Sequence, residues 1–457
     1  MRLRGAARIL VLICADGARL AAQLTLTQTV ESALHNYPSV RVSEEQINAA
    51  AAGIRLARTA YLPRVDAVAQ MNRATRNNVF GLLLPTGGVI PSMSGPVIGS
   101  NNFGTAWGSA VGALVSWEPF DFGLRQANVA AAAATRAQSE AALKRTQFEV
   151  AAAAADAYLT LVAAQETVRA AQAGVDRGET ILRTIQALVN AELRPGADAA
   201  RAEAESAAAR TQWIQAQQAS EVARATVAQY TGLEPARIAV SAPALLQLPP
   251  AESPSPLDPS ANPIALEQNA VVQQAQAQLK ALARAYFPRF YLQGAAYARG
   301  TGAELNGKLL GGLNGLAPNV QDYALGFTVN FPVADLPALQ AREAAQSATV
   351  RAQTARAQQI ATDLRAQWNV AVATLQGARR IAANTPVQVT AARAATEQAA
   401  ARYRSGLGNI DEVAEAQRLL TQAEIDDALA RLGVWRGLLA VAIAAGDIRP
   451  FVAEAGQ

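Results

Sequence analysis

The chain has 457 residues, 51% apolar and 17% charged, which is enough for a large domain or two and too polar for a bundle of membrane-spanning helices. Its 40 basic and 36 acidic residues leave a net charge of +4 without a clustered basic stripe, which argues against a nucleic-acid binder. One cysteine, Cys14, and one histidine, His35, exclude an internal disulfide and a Cys/His metal cage, so no cofactor is expected.

In chain order, residues 1–22 read as an export signal. Arg2, Arg4 and Arg8 precede a short apolar run over 9–15, and Ala18, Ala21 and Ala22 supply small residues for cleavage near Ala22. Ile13 is too large to precede an acylated cysteine in the usual lipoprotein motif, so Cys14 is not expected to carry lipid. His35 lies in Ala-Leu-His-Asn-Tyr-Pro near a helix end and reads as a surface or capping residue. No later apolar run approaches the ~20 residues of a spanning helix. A membrane-spanning form would have to be a β-barrel.

The chain contains itself twice. Pro38 and Pro63 recur at the same spacing as Pro263 and Pro288, with Ala-Tyr-Leu-Pro-Arg at the first junction and Ala-Tyr-Phe-Pro-Arg at the second. Further on, Gln126-Ala127 matches Gln340-Ala341, Ala202-Glu203 matches Ala416-Gln417, and Gly232 matches Gly446, at a shorter offset. The difference falls in the loop between strands, longer in the first copy (77–105) than in the second (300–320). The first repeat, 23–233, reads as a helix, strands at about 62–75 and 106–118, a long helix at about 124–190 and a return helix at about 199–230. The second, 264–447, has strands at about 287–299 and 321–332, a long helix at about 336–404 and a return helix at about 411–445. Eight prolines in 234–263 predict an extended surface linker, and 448–457 reads as a tail.

The proline-free run from Leu124 to Asn190 would be ~100 Å long as a helix at ~1.5 Å per residue. Leu161, Val168, Val175, Leu182 and Val189 recur every seventh residue, opposite Ala164, Ala171, Gly178 and Ile185, a large-against-small seam of coiled-coil type. In the second long helix Pro386 predicts a kink or break. Each long helix ends in a tight turn, Arg194-Pro195-Gly196-Ala197-Asp198 in the first copy and Ser405-Gly406-Leu407-Gly408-Asn409 in the second.

Tyr323, Leu325, Phe327, Val329 and Phe331 alternate with small or polar residues, and Trp107, Ser109, Val111, Ala113, Val115 and Trp117 share a face. That is the pattern of strands with lipid on one side and a lumen on the other. Many of the aromatics cluster near these strands, as in the girdle of a membrane barrel. Four strands do not close a barrel, and bare edges in lipid are forbidden, so the sheet must close through other chains.

The stretch from Leu24 to Pro38, the duplicated Ala-Tyr-Leu/Phe-Pro junction, and Arg402-Tyr403-Arg404-Ser405-Gly406 followed by Asp411-Glu412-Val413 and Ala416-Gln417 together resemble the TolC family of outer-membrane efflux proteins over about residues 24–447. The resemblance implies a mostly α chain with a small antiparallel β-sheet, four strands per protomer. It implies a homotrimer with a transmembrane β-barrel in the outer membrane and a long α-helical barrel in the periplasm. It further implies contact with outer-membrane lipid, a periplasmic adaptor (membrane fusion) protein, and through it an inner-membrane transporter that drives export. The adaptor-contacting tip would hold Arg194, Gly196 and Asp198 of the first turn and Tyr403, Arg404, Gly406, Leu407, Gly408 and Asp411 of the second. Glu397 is the candidate pore constriction, where symmetry makes one carboxylate a ring. Tyr61, Pro63, Tyr286 and Pro288 mark the helix–strand junctions.

Two other readings compete. A periplasmic or secreted coiled-coil scaffold would share the long alanine-rich helices but has no use for paired amphipathic strands. A hydrolytic or redox enzyme lacks the residues, having one histidine and no metal cluster or phosphate loop.

Overall fold

The computed structural model describes residues 23–74, 104–250, 256–304, 308–331 and 333–456. The leader with Cys14 and nearly all of the first inter-strand loop lie outside the described residues.

The elements follow in order: β1 (Gln23–Leu24), α1 (Leu26–Asn36), α2 (Pro38–Thr59), β2 (Arg64–Ala74), β3 (Ala106–Phe120), α3 (Leu124–Asn190), α4 (Gly196–Thr231), β4 (Ala239–Val240), α5 (Pro263–Arg284), β5 (Arg289–Thr301), β6 (Val320–Asn330), α6 (Leu336–Arg404), α7 (Ile410–Ala445) and α8 (Arg449–Ala455). Compact packing cuts across the duplication. One unit gathers 1–44, 142–266 and 359–457, the other 45–141 and 267–358, so each takes segments from both copies.

In the first unit, the seam residues Leu161, Ala171, Val175 and Ile185 are buried. Glycines set the closest helix approaches: a Cβ at Gly437 would meet the Cα of Leu375 at 3.0 Å. Each return helix ends on a left-handed glycine, Gly232 (φ 73°) and Gly446 (φ 86°), which stops the helix without a Cβ penalty. In both copies an asparagine covers that end. Asn36 Nδ2 donates to the Thr231 carbonyl at 2.8 Å, and Asn262 Nδ2 to the Ala444 carbonyl at 3.2 Å.

Three expectations change here. The proline-rich segment is not an extended surface linker. It forms short 3-10 turns at Pro235–Arg237, Ala244–Leu246 and Pro259–Ala261, and β4 pairs in parallel with β1. Proline is compatible with the first position of such turns, and Leu245 and Ile238 between the prolines are buried in the core. Tyr158 holds this layer down, its single O–H shared between the carbonyls of Ser241 (2.9 Å) and Leu24 (3.1 Å). The tail is also structured: Phe451 and Ala455 of α8 are buried beside Trp435. Finally, of the kink or break expected at Pro386, the break is absent: α6 stays helical through it. Neighbouring Thr385 donates to Asp427 of α7 at 2.8 Å and fastens the segment from outside.

By length and a mean hydropathy of 1.6, α7 is one helix apolar enough to cross a bilayer. Its Leu432, Val434, Trp435, Leu439 and Val441 are instead buried against the unit's own core.

The second unit is built around a four-stranded antiparallel sheet in the order β2-β3-β5-β6. In-register pairing places Ala67, Ala113, Ala296 and Tyr323 in one row, and Ala69, Val111 and Ala298 in the next. The outer edges of β2 and β6 have no partner strand among the described residues.

Candidate functional site

Two places carry functional geometry, each within one unit. The first is the pair of turns that end the long helices. The first-copy turn reverses at Glu192, which takes a left-handed φ of 59°, and Pro195 caps α4. The second-copy turn reverses at Gly406 (φ 82°), and Asn409 caps α7 by accepting from the Glu412 N–H at 2.9 Å. Tyr403 joins the two turns. Its ring is buried among Ile185, Ala202, Ile410 and Val413. The Arg194 guanidinium lies over that ring, 4.4 Å from its centroid, and donates to the Tyr403 carbonyl. The Tyr403 hydroxyl donates to Asp198 Oδ2 at 2.8 Å. Burial, followed by the hydrogen bond to Asp198, pushes the Tyr403 hydroxyl up to about 12, so it is a neutral donor at any physiological pH. Arg194, Asp198 and Tyr403 thus form one clasp.

Gly196 begins α4 with open space where a Cβ would stand, and a Cβ on Gly408 would press on Arg402 and Glu412 at 3.2 Å. Arg404 is exposed and donates to the Ala400 carbonyl at 3.3 Å, outside the clasp. Leu407 is 74% exposed at the apex. Asp411, at the start of α7, faces Arg201 of α4 at 3.4 Å. Arg201, absent from the sequence-based set, therefore links the two return helices; across such a sequence distance no local pattern marks the pair. The same holds for Arg177, which reaches Thr421 (3.0 Å) and Glu424 (2.9 Å).

Glu397 is exposed on α6 and lines a groove of about 560 Å³ with Asp176, Arg177, Thr180 and Arg404. Among the described residues no cluster of His, Cys, Asp or Glu is arranged to hold a metal ion.

The second place is the sheet, whose two faces differ in kind. Val65, Met71, Val111, Val115, Trp117, Leu292, Tyr323, Leu325, Phe327 and Val329 point one way and are exposed, with Tyr323 at 85% and Leu325 at 81%. The opposite face carries Asp66, Gln70, Ser116, Gln293 and Thr328, with Arg299 paired to Asp322 at 2.9 Å and Arg289 to Glu118 at 2.8 Å. Bare apolar side chains on a strand face are stable only against lipid or protein.

At the junctions, Pro63 and Pro288 separate helix from strand, and the preceding tyrosines are tied differently. Trp117 Nε1 donates to the Tyr61 carbonyl at 3.1 Å, and Arg125 lies over the Tyr61 ring at 4.7 Å. Tyr286 donates to Glu343 at 2.7 Å. Asp121, between β3 and α3, accepts from the N–H groups of Gly123 (3.1 Å) and Arg125 (2.6 Å) and from the Arg125 guanidinium. Burial alone would raise its carboxyl; the Arg125 and Gly123 hydrogen bonds outweigh it and hold it below the ordinary value. A chain of rings, Phe327, Phe290, Phe120, Phe122 and Phe287, runs from the apolar face to the α5 junction with centroids 4.6–6.1 Å apart.

Two long helical hairpins with a two-faced antiparallel sheet define an outer-membrane channel subunit. The chain belongs to the outer membrane efflux protein family, whose profile matches residues 29–233 and 261–446. Among solved structures it resembles the outer-membrane channel OprN (22% identity, TM-score 0.72, 94% of this chain and 91% of that one). It also resembles the CmeC outer membrane channel of Campylobacter jejuni (16%, 0.73, 92% and 85%) and the open state of the MtrE outer membrane channel of Neisseria gonorrhoeae (20%, 0.70, 93% and 89%). No curated protein matches the chain.

Proposed function

We propose that three copies of this chain form a passive exit duct through the outer membrane, in which the four strands of each protomer complete a twelve-stranded barrel. The observation that carries this is the sheet itself: one apolar exposed face, one polar face, and unpartnered edges on β2 and β6. Lipid satisfies the first, a water-filled lumen the second, and neighbouring copies the third. A rotational ring leaves no edge bare.

In the same reading the clasped turns form the periplasmic tip, where Arg194, Gly196, Asp198, Tyr403, Arg404, Gly406, Leu407, Gly408 and Asp411 meet a periplasmic adaptor that joins the duct to an inner-membrane transporter. The transporter drives export; this chain supplies no catalytic group. Exposed Leu407 suits the apolar centre of such a contact, and Arg404, with its guanidinium outside the clasp, suits its rim. Threefold symmetry would turn Glu397 into a carboxylate ring facing the permeating ions.

Single-channel recording from purified protein in planar bilayers tests the duct. Ohmic, cation-selective steps are expected, with multivalent cations blocking the wild type more strongly than Glu397→Ala. Bilayers without conductance steps would overturn the channel; equal block in both proteins would remove Glu397 from the pore.

A further inference from the structure

We propose that the last turns of α2 and α5 form a basic collar that binds the headgroups of anionic phospholipids in the periplasm-facing leaflet of the outer membrane. This rests on the barrel reading and adds a lipid preference to it.

The chain of phenylalanine rings runs along the lipid-facing side of the sheet and ends at Phe287, directly after α5. The Arg284 guanidinium stands 5.9 Å from the centroid of that ring. Aromatic side chains of this kind sit at headgroup depth, with apolar bodies in the acyl boundary. The first-copy junction is similar, with Leu62 65% exposed and Tyr61 and Trp117 beside it. A basic side chain one turn back along either helix therefore stands at phosphate level.

On the last turns of these two helices the charges have one sign, and the carboxylates at the junctions, Asp121 and Glu343, are already bonded to Arg125 and Tyr286. Over 48–59 of α2 the charged residues are Arg55 and Arg58; over 268–284 of α5 they are Lys280 and Arg284. All four are exposed, and none joins an ion pair among the described residues. Arg55 and Lys280 occupy the same position in the two copies, counted from Pro63 and Pro288. Cations in a last helical turn also complement the helix dipole, which accounts for Arg58 and Arg284. It does not reach Arg55 and Lys280, which lie a turn further in. Several arginines on the long helices pair with carboxylates at 2.6–3.0 Å instead, as in Arg210–Glu179, Arg145–Glu149 and Arg136–Glu140. Unpaired basic groups next to an aromatic lipid boundary attract anionic headgroups, each contributing a several-fold preference that salt screens.

The test uses purified full-length protein in phosphatidylcholine vesicles containing phosphatidylglycerol, with one lipid or the other brominated. Quenching of tryptophan fluorescence, to which boundary Trp117 contributes, reports the relative occupancy of the two lipids. The wild type is expected to prefer phosphatidylglycerol by about fivefold or more at low ionic strength, falling as salt is added. The variant carrying Arg55→Gln, Arg58→Gln, Lys280→Gln and Arg284→Gln is expected to show no preference while keeping wild-type conductance. A wild type without preference, or a quadruple variant that keeps it, overturns the collar. Conductance recorded from the same vesicles distinguishes this from failure of the barrel reading, in which neither protein would conduct.

Discussion

Tyr403 acts on both turns through two bonds of different kind. Its ring carries Arg194, and its hydroxyl reaches Asp198. Tyr403→Phe keeps the ring and removes the hydroxyl, so a loss of about 0.5–1.5 kcal/mol is expected, read as a lower thermal midpoint. An unchanged midpoint would mean that the hydroxyl bond adds nothing to the clasp. Because the folded tyrosine titrates near 12, above its ordinary 10.0, the bond's contribution is complete below pH 10 and is lost as pH rises toward 12. The wild-type advantage over the phenylalanine variant should disappear over that window. Asp121 works at the other end of the scale. Its folded carboxyl titrates below the ordinary 3.8, so its stabilisation is complete above that value and is lost as pH falls through the depressed one. At neutral pH, Asp121→Ala leaves Arg125 buried without its partner, a change that costs about 3–5 kcal/mol in such pairs. Acid denaturation of this variant should start from a lower plateau and be shallower below pH 4. An acid limb parallel to the wild type would remove Asp121 as a source of acid sensitivity.

At the scale of elements, the strands make the sharpest prediction. Leu325 is at the middle of β6 on the bare apolar face. Leu325→Arg should destabilise the membrane-inserted protein by about 2–4 kcal/mol, whereas Thr328→Arg on the polar face should be nearly neutral. Equal penalties, measured by urea unfolding in vesicles, would contradict the assignment of faces. These strands were legible in the sequence because one apolar and one polar face impose a strict period of two, as in Tyr323–Phe331. The first long helix, α3, was legible because a proline-free alanine-rich run has no other compact fate, and α6 was legible as its repeat despite Pro386. The 234–263 segment was misread for a physical reason. Proline density reports where regular helices stop, and says little about whether the side chains between them, such as Leu245 and Ile238, are buried by tertiary contacts. The same limit hid α8, whose Phe451 finds Trp435 from across the chain. At the turns that end the long helices, glycines were the visible signal, but the partners of Tyr403 and Asp411 come from the other copy, and no local spacing encodes them.

At the scale of the whole molecule, the outer edges of β2 and β6 have no partner strand among the described residues, and the proposed trimer would close both. The most direct measurement is the membrane location and mass of the detergent-extracted protein, by fractionation followed by light scattering. A particle from the outer-membrane fraction with about three times the protein mass of one 47.7 kDa chain is the predicted result. A soluble monomer or dimer would contradict the account and favour a periplasmic coiled-coil scaffold in its place.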